Sequence, residues 1–425
     1  MTGTGSRQGN SRPGDSKKLV VVGNGMAACR LLEELLRLAP DLYQITVVGE
    51  EPFAGYNRVM LSPLLGGHTD EPGITTHSHR WYREQGIRLI TGSPVTAIDR
   101  HRRRVITAAG HVLPYDRLLL ATGSAPRALP VDGAGLQGVV SFRDLYDVRR
   151  LLALPPSRIV VVGGGFLGLE AAEALLGHGH SVTLVHSRGH LLNQQLDAAA
   201  GTRLQQDLEG RGLRFVMQAR TAGLRDNGRG QVTAVCLDDG RELAADLVVQ
   251  AVGIVPRTAL ASQAGLTVGQ GIRVDDTLQT FDPAIYAVGE CIEHRQRTFG
   301  LVAPLYEQAA VCASHLAELG HRRYLHTDTP TRLKIAGIDV YSCGRFDGEG
   351  DILTLQLPGG YRRLRLCDNR LMGMVLYGDV SDALFYETLW RQGRDLSEWR
   401  QCLLLGEAFC QPAEHSEKDQ EELAA

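Results

Sequence analysis

Two short glycine runs carry the sharpest chemical signal in this 425-residue chain. The first, Gly23-x-Gly25-x-x-Ala28, lies between the apolar run Leu19–Val22 and the leucine-rich stretch Leu31–Leu38. Gly23 permits a tight strand-to-helix turn, Gly25 lets a pyrophosphate reach the backbone, and Ala28 keeps helix against sheet. The helix N-terminus then offers a phosphate its free N–H groups and the positive end of its dipole. An acid after the second strand should hold the ribose hydroxyls, and Glu50 follows the strand Ile45–Val48. The second run, Gly163, Gly165 and Gly168, has the same context between Ile159–Val162 and Leu169–Leu176. Its acid is missing, because the next strand ends Val185-His186-Ser187-Arg188. An acid there would repel a 2′-phosphate, whereas His and Arg would tolerate it. Nucleotide binding is expected at this second run, with NADH and NADPH both open. His186 reads equally as a ribose contact or as a plain surface residue after a strand.

The elements that must position these residues form two βαβ units about 140 residues apart. They predict an α/β fold with two Rossmann-like dinucleotide-binding domains and a small α+β C-terminal domain. Ala121–Arg127 and Ala251–Arg257 read as matching crossing turns, and Thr280–Glu290 places an acid at a strand end. Two dinucleotide sites on one chain suggest a bound flavin and an exchanging nicotinamide. Val105–Thr107 with Val112–Pro114 reads as a hairpin before Leu118–Ala121, and Val232–Leu237 with Leu247–Val252 reads similarly. A helix is expected from about Pro304 to Leu319, then strands Lys334–Val340, Ile352–Leu357, Tyr361–Cys367 and Leu371–Tyr377, and a helical ending, Ser381–Trp399. The expected division is a disordered leader 1–16, an FAD domain from 17–125 and 254–325, an NAD(P)H domain 126–253, a C-terminal domain 326–410 and a disordered acidic tail 411–425.

Composition narrows the function classes. Glycine supplies 49 residues, against about 30 at the usual ~7% usage, with no collagen-like period. A net charge of −3 removes the electrostatic case for a nucleic-acid protein. No run approaches the ~18 apolar residues of a membrane span, and no secretory h-region opens the chain. The eight cysteines include no C-x-x-C, so no zinc ribbon, thioredoxin-type dithiol or clustered iron–sulfur set is expected. A reducing cytoplasm is the expected compartment. His77 and His79 lack a third ligand nearby, and no metal site is expected. Arg100–Arg104 reads as a solvated turn, and Trp390 and Trp399 as core or dimer packing.

Longer stretches carry a family resemblance. VVGNGMA (Val21–Ala27), EEPFAGYNRVMLS (Glu50–Ser62), VVGGGFLGLEAA (Val161–Ala172), QQLD (Gln194–Asp197), YAVGEC and FGLVAPLYEQA (within Tyr286–Ala309) are specific. From about residue 17 to 325 the chain resembles the two-dinucleotide-domain flavoprotein reductases, a group that includes ferredoxin and rubredoxin reductases. More narrowly it resembles the FAD/NAD(P)H module at the N-terminus of NAD(P)H-dependent nitrite reductase large subunits. Residues 326–405 resemble more loosely the small domain that follows there. The resemblance implies that Gly23, Gly25, Glu50, Arg58, Thr122, Gly123 and Glu290 hold FAD, and that Gly163, Gly165, Leu167, Gly168 and Glu170 line the nicotinamide nucleotide site. The expected cofactor-binding set further includes Met26, Ala27, Ala28, Glu51, Val95, Ala121, Arg127, Phe166, His186, Gly253, Gly289 and Pro304. Glu170 is the catalytic candidate, with a helix-face carboxylate as its plain alternative; Arg58 has a surface loop arginine as its own. The helix from Pro304 would point its N-terminus at the flavin's N1/O2 edge and stabilise the reduced, anionic form.

Departures from the family are informative too. Nitrite reductase large subunits add a cysteine-rich iron–sulfur insert and a sirohaem-binding half, and this chain lacks that cysteine pattern. It is therefore expected not to reduce nitrite by itself. No cysteine lies between Cys29 and Cys236, which argues against a redox cysteine at the flavin. The expectation is an FAD-dependent NAD(P)H reductase serving a separate protein acceptor, a nitrate or nitrite reductase subunit in nitrogen assimilation. Alternatives are a rubredoxin or ferredoxin reductase, a flavin-dependent NADH oxidase with a small-molecule acceptor, and a non-enzymatic redox sensor. A homodimer is open.

Overall fold

The computed structural model describes residues 16–335 and 337–410. The expected tail and all but the last residue of the expected leader lie outside them. Two five-stranded parallel sheets organise the first 300 residues. In the first, the order is Ile285–Ala287, Arg117–Leu120, Lys17–Val22, Tyr43–Val48 and Arg88–Ile90. In the second it is Val139–Val140, Leu247–Gln250, Arg158–Val162, Ser181–His186 and Arg214–Met217. Leu19–Val22 and Ile159–Val162 are buried throughout, as strands covered on both faces must be. The helices Met26–Leu38 and Phe166–Gly177 begin directly at the glycine turns that leave these central strands.

Each sheet has a three-stranded antiparallel companion: Val95–Asp99, Arg104–Thr107 and Val112–Pro114 beside the first, and Thr221–Asp226, Val232–Leu237 and Glu242–Ala244 beside the second. Val232–Leu237 therefore pairs with Glu242–Ala244 and not with Leu247–Gln250, which enters the parallel sheet. Local alternation could not distinguish a hairpin partner from a sheet strand five residues further on. The chain crosses between the two sheets twice, and the crossings, Ser124–Pro126 and Ile254–Pro256, pair antiparallel. Both matching turns of the sequence thus meet at one place.

From Thr331 the chain forms a five-stranded antiparallel sheet in the order Thr331–Ile335, Ile338–Gly344, Arg370–Tyr377, Gly360–Cys367, Asp351–Leu357. The single expected strand Lys334–Val340 is a hairpin, turned at Gly337 with φ +81°. One face of this sheet packs on helix Ala383–Gln392 through Leu364, Met374, Leu376, Tyr386 and Leu389. That helix is shorter than the expected Ser381–Trp399, because Gly393 caps it in the left-handed conformation and a separate turn, Ser397–Trp399, follows. The other face buries Val340, Tyr361, Val375 and Tyr377 in one core with Ala200, Leu204 and Leu208 of helix Ala198–Glu209. Tyr361 donates to Asp197 at that helix's N-cap (2.8 Å), and Tyr377 donates to Asp207. The C-terminal sheet is so fastened to the second parallel sheet's layer. Trp399 is core, and Arg100, expected in a solvated turn, bonds Asp282 at 2.8 Å and stacks on Phe281. Among the described residues, no helix is long and apolar enough to cross a membrane, and no group of three metal-ligating side chains occurs.

Candidate functional site

The two glycine turns are built alike. Gly23 sits at φ +108°, and a Cβ there would lie 2.1 Å from the Ala121 carbonyl oxygen; Gly163, at φ +119°, would meet the Ala251 oxygen at 2.3 Å. Each first glycine therefore lets its turn pass under the neighbouring strand's crossing turn. Gly25 and Gly165 are different: their backbones are extended and no atom lies within 4 Å of a Cβ built there. That open space fronts the start of each helix, where a phosphate would approach bare N–H groups. The third positions part company. A Cβ on Gly168 would meet the Gly163 oxygen at 1.9 Å, whereas Ala28 is accommodated, fully buried.

The first turn opens into a cleft lined by Gly23, Gly25, Glu50, Glu51, Arg58, Ala121, Thr122 and Gly123 of the expected set. Glu290 joins them through Ser124, whose hydroxyl donates to it at 2.7 Å. Met26 and Ala27 begin the helix behind the turn, and Gly289 (φ +94°) donates its N–H to Gln308 at 2.8 Å behind Glu290. Sequence reasoning missed Asn24, Phe53, Tyr56, Ser124, Arg143, Asp144 and Arg257, which line the same cleft. Arg143 precedes a helix that packs under the second sheet, yet its guanidinium bonds Ser124 (2.8 Å) and pairs with Glu290. Arg257 pairs with Glu50 from the returning crossing, and Thr122 Oγ1 donates to the Arg257 carbonyl at 2.9 Å. Arg58 pairs with Glu51, bonds the Arg143 carbonyl at 3.0 Å and lies over the Tyr56 ring. Tyr56 in turn donates to Glu51 at 2.7 Å, and burial pushes its phenol well above the ordinary range. The cleft so gathers three guanidinium–carboxylate pairs beside open glycine backbone, and it is the bare N–H groups at the helix start that suit a diphosphate.

Several expected residues stand elsewhere. Val95 lies on the three-stranded companion sheet, paired with Thr107, and does not line the cleft. Arg127 and Gly253 meet at the paired crossings, where the Arg127 N–H donates to the Gly253 carbonyl at 2.9 Å. Pro304 lies in the first turn of helix Val302–Leu316, where its missing N–H costs nothing. With Leu301, Phe299 and Gln194 it lines a separate cavity of about 350 Å³, between the two parallel-sheet layers and the C-terminal sheet. Phe166 is half-buried against the core and Leu167 is exposed at the second turn. His186 fits neither expected role. Its Nδ1 accepts the Gly164 N–H at 3.1 Å and its Nε2 is buried without a partner, so the ring supports the glycine turn and presents no polar atom outward.

Glu170 projects from the second turn's helix to Ser62, whose hydroxyl donates to its carboxylate at 2.5 Å. This bond ties helix Leu61–Leu65, which follows Arg58 of the first cleft, to the helix of the second turn. Burial pushes the Glu170 carboxyl above the ordinary carboxylate range, and the Ser62 hydroxyl opposes it. Among the described residues all eight cysteines are free. Cys29 is buried, its thiol pushed up to about 11 by desolvation, and Cys291 is buried with its thiol raised by the same cause. Neither is poised as a thiolate.

The cleft fits FAD on this structure's own terms. Gly25 and Gly123 leave room that a Cβ would fill, and the buried Asn24 Nδ2 has no acceptor among protein atoms.

Residues 17–315 match the family model described as pyridine nucleotide-disulphide oxidoreductase, and residues 330–393 match the rubredoxin NAD+ reductase C-terminal domain. The chain is 42% identical to a nitrite reductase [NAD(P)H] of Bacillus subtilis (strain 168), covering 90% of this chain and 48% of that protein. It is 39% identical to the assimilatory nitrate reductase electron transfer subunit of the same organism, over 90% of this chain and 50% of that one. The chain thus spans about half the length of these curated relatives. A solved putidaredoxin reductase–putidaredoxin complex is similar with a TM-score of 0.79 at 26% identity, covering 92% of this chain and 99% of that chain. The α/β architecture with two dinucleotide layers and a small third domain is borne out. With two intact glycine cradles and this match over most of its length, the chain belongs to the pyridine nucleotide-disulphide oxidoreductase family, as an FAD- and NAD(P)H-using reductase.

Proposed function

We propose that the chain takes hydride from a nicotinamide nucleotide and passes electrons through FAD to a separate redox protein, a nitrate or nitrite reductase subunit. One observation carries the reading: Glu170, on the helix of the second glycine cradle, is bonded by Ser62, four residues beyond Arg58 of the first cleft, while no paired or ionised cysteine stands beside them. Electrons collected there have no thiol pair to receive them within the site and must leave the protein. Bound FAD supplies the exchange between a two-electron donor and one-electron acceptors. The chain's own residues bind and orient. Gly25 and Gly165 admit the two pyrophosphates, Arg58, Arg143 and Arg257 line the first cleft as ion pairs with Glu51, Glu290 and Glu50, and Glu170 is held by Ser62. Proximity and alignment of donor and flavin suffice for hydride transfer without a protein acid or base.

The nitrate or nitrite reductase acceptor is favoured by the two Bacillus subtilis relatives. A rubredoxin acceptor is favoured by the C-terminal domain's match. Anaerobic addition of NADH and NADPH to the yellow protein should bleach it. Reoxidation by a purified nitrite reductase catalytic half, faster than by rubredoxin or by oxygen, is the expected result. Reduction of rubredoxin alone would refute the nitrogen-assimilation acceptor, and rapid peroxide formation without any partner would favour an oxidase.

A further inference from the structure

The loop that leaves strand Ser181–His186 is where a nucleotide's adenosine ribose meets the second cradle. This loop is held firmly. His186 is locked onto the Gly164 N–H, and the Leu192 N–H donates back to the Gly164 carbonyl at 3.1 Å. On the other side, Ala219 N–H donates to the His186 carbonyl and Gln218 N–H to the Arg188 carbonyl, at 3.2 and 3.3 Å. His190 directs its Nε2 at the Leu196 carbonyl, 3.1 Å away. His186 Nδ1 and His190 Nε2 are therefore committed to the fold.

What the loop presents outward is Ser187, Arg188 and Gly189, all exposed. The Arg188 guanidinium has no hydrogen-bond or ion-pair partner among the described residues, unlike most arginines around the first cleft. No carboxylate occurs from His186 to Leu196, and the next one, Asp197, is buried and bonded to Tyr361. A ribose diol would find no carboxylate acceptor here, while a 2′-phosphate would find an uncommitted fork of N–H donors on a pinned backbone.

We propose that the second cradle takes NADPH in preference to NADH, with Arg188 reading the 2′-phosphate. The inference rests on the reading of that cradle as a nicotinamide nucleotide site. It follows that His186, the last residue of the strand, supports the Gly164 turn and does not choose the nucleotide.

The test compares binding of adenosine 2′,5′-bisphosphate with that of ADP to the flavin-loaded protein by calorimetry. Flavin bleaching by NADPH and NADH is recorded in parallel. The bisphosphate should bind at least ~10-fold more tightly, and Arg188→Ala should remove that margin while leaving ADP binding unchanged. Arg188→Lys should restore part of it, and Arg188→Glu should reverse the preference. Equal binding of the two ligands, or a preference that survives Arg188→Ala, would overturn the inference while bleaching by either coenzyme leaves the reductase reading intact. Conversely, tight bisphosphate binding lost in Arg188→Ala, together with a flavin that neither coenzyme bleaches, would support the nucleotide preference and overturn the reductase reading.

Discussion

Alanine at Gly163 and alanine at Gly165 should have opposite consequences, although the residues are two apart in one motif. At Gly163 the new Cβ would lie 2.3 Å from the Ala251 oxygen, about 0.7 Å inside the 3.0 Å that real Cβ atoms respect. Neither side can yield easily, because Gly163 N–H donates to Val185 (2.9 Å) and Ala251 N–H to Val162 (2.8 Å). The backbone at φ +119° is also strained for any side chain. Strain of ~1–2 kcal/mol and overpacking of ~1–3 kcal/mol together predict a loss of roughly 2–5 kcal/mol. At Gly165 the backbone is extended and the Cβ meets nothing within 4 Å. Gly165→Ala should thus be neutral or stabilising by up to ~1 kcal/mol, through the unfolded chain's lost freedom. Its methyl group would instead occupy the phosphate approach and weaken nucleotide binding by ~10-fold or more. Urea unfolding midpoints and calorimetric nucleotide affinities on the same preparations separate the two effects. Comparable destabilisation by both substitutions, or wild-type nucleotide affinity in Gly165→Ala, would refute the division between a packing glycine and a binding glycine.

Arg143→Ala removes the guanidinium shared by Ser124 and Glu290 and should lower flavin retention by ~10-fold or more, measured as the bound flavin-to-protein ratio after dialysis. Glu170→Gln should slow stopped-flow hydride transfer by about 10-fold through lost positioning. Because the folded state raises this carboxyl's pKa, the folded protein binds the proton more tightly. Stability is then lost as pH rises from the unfolded value, 4.5, through the higher folded one, and thermal melts of Glu170→Gln should lack that loss. Asp276 behaves oppositely. Arg295 and His294 hold its carboxyl at about 2, so its stabilisation is complete above the unfolded value of 3.8 and disappears as pH falls through about 2. Asp276→Asn should melt lower than the parent at pH 7 and converge with it near pH 2. Tyr361→Phe leaves the buried Asp197 without its phenolic donor and should cost about 1–3 kcal/mol in urea unfolding.

The dinucleotide architecture was legible because its demands are local. A left-handed or crowded turn admits only glycine, an alanine or glycine must sit where helix meets strand, and apolar runs of four announce a doubly covered strand. Gly23, Gly25, Gly163, Gly165 and Gly168 could be read from spacing alone, and their turns stand where that spacing implies. The hairpin at Gly337 and the helix stop at Gly393 were less legible, since a single glycine inside a periodic pattern does not announce its φ. Arg143 and Arg257 were invisible for another reason: they reach the first cleft from elements 85 or more residues beyond Arg58, through crossings whose pairing no sequence period encodes.

The fate of His186 draws the boundary most clearly. From the chain alone it was a residue in the right place to touch a ribose. Only the folded loop, returning through Leu192 onto Gly164, turns its ring inward and leaves Arg188 outward. Residue type and spacing thus determine that two dinucleotides bind, because backbone conformation at each glycine is a short-range property. Which side chains face them is settled by which distant segments pack against each turn and which hydrogen bonds they have already claimed.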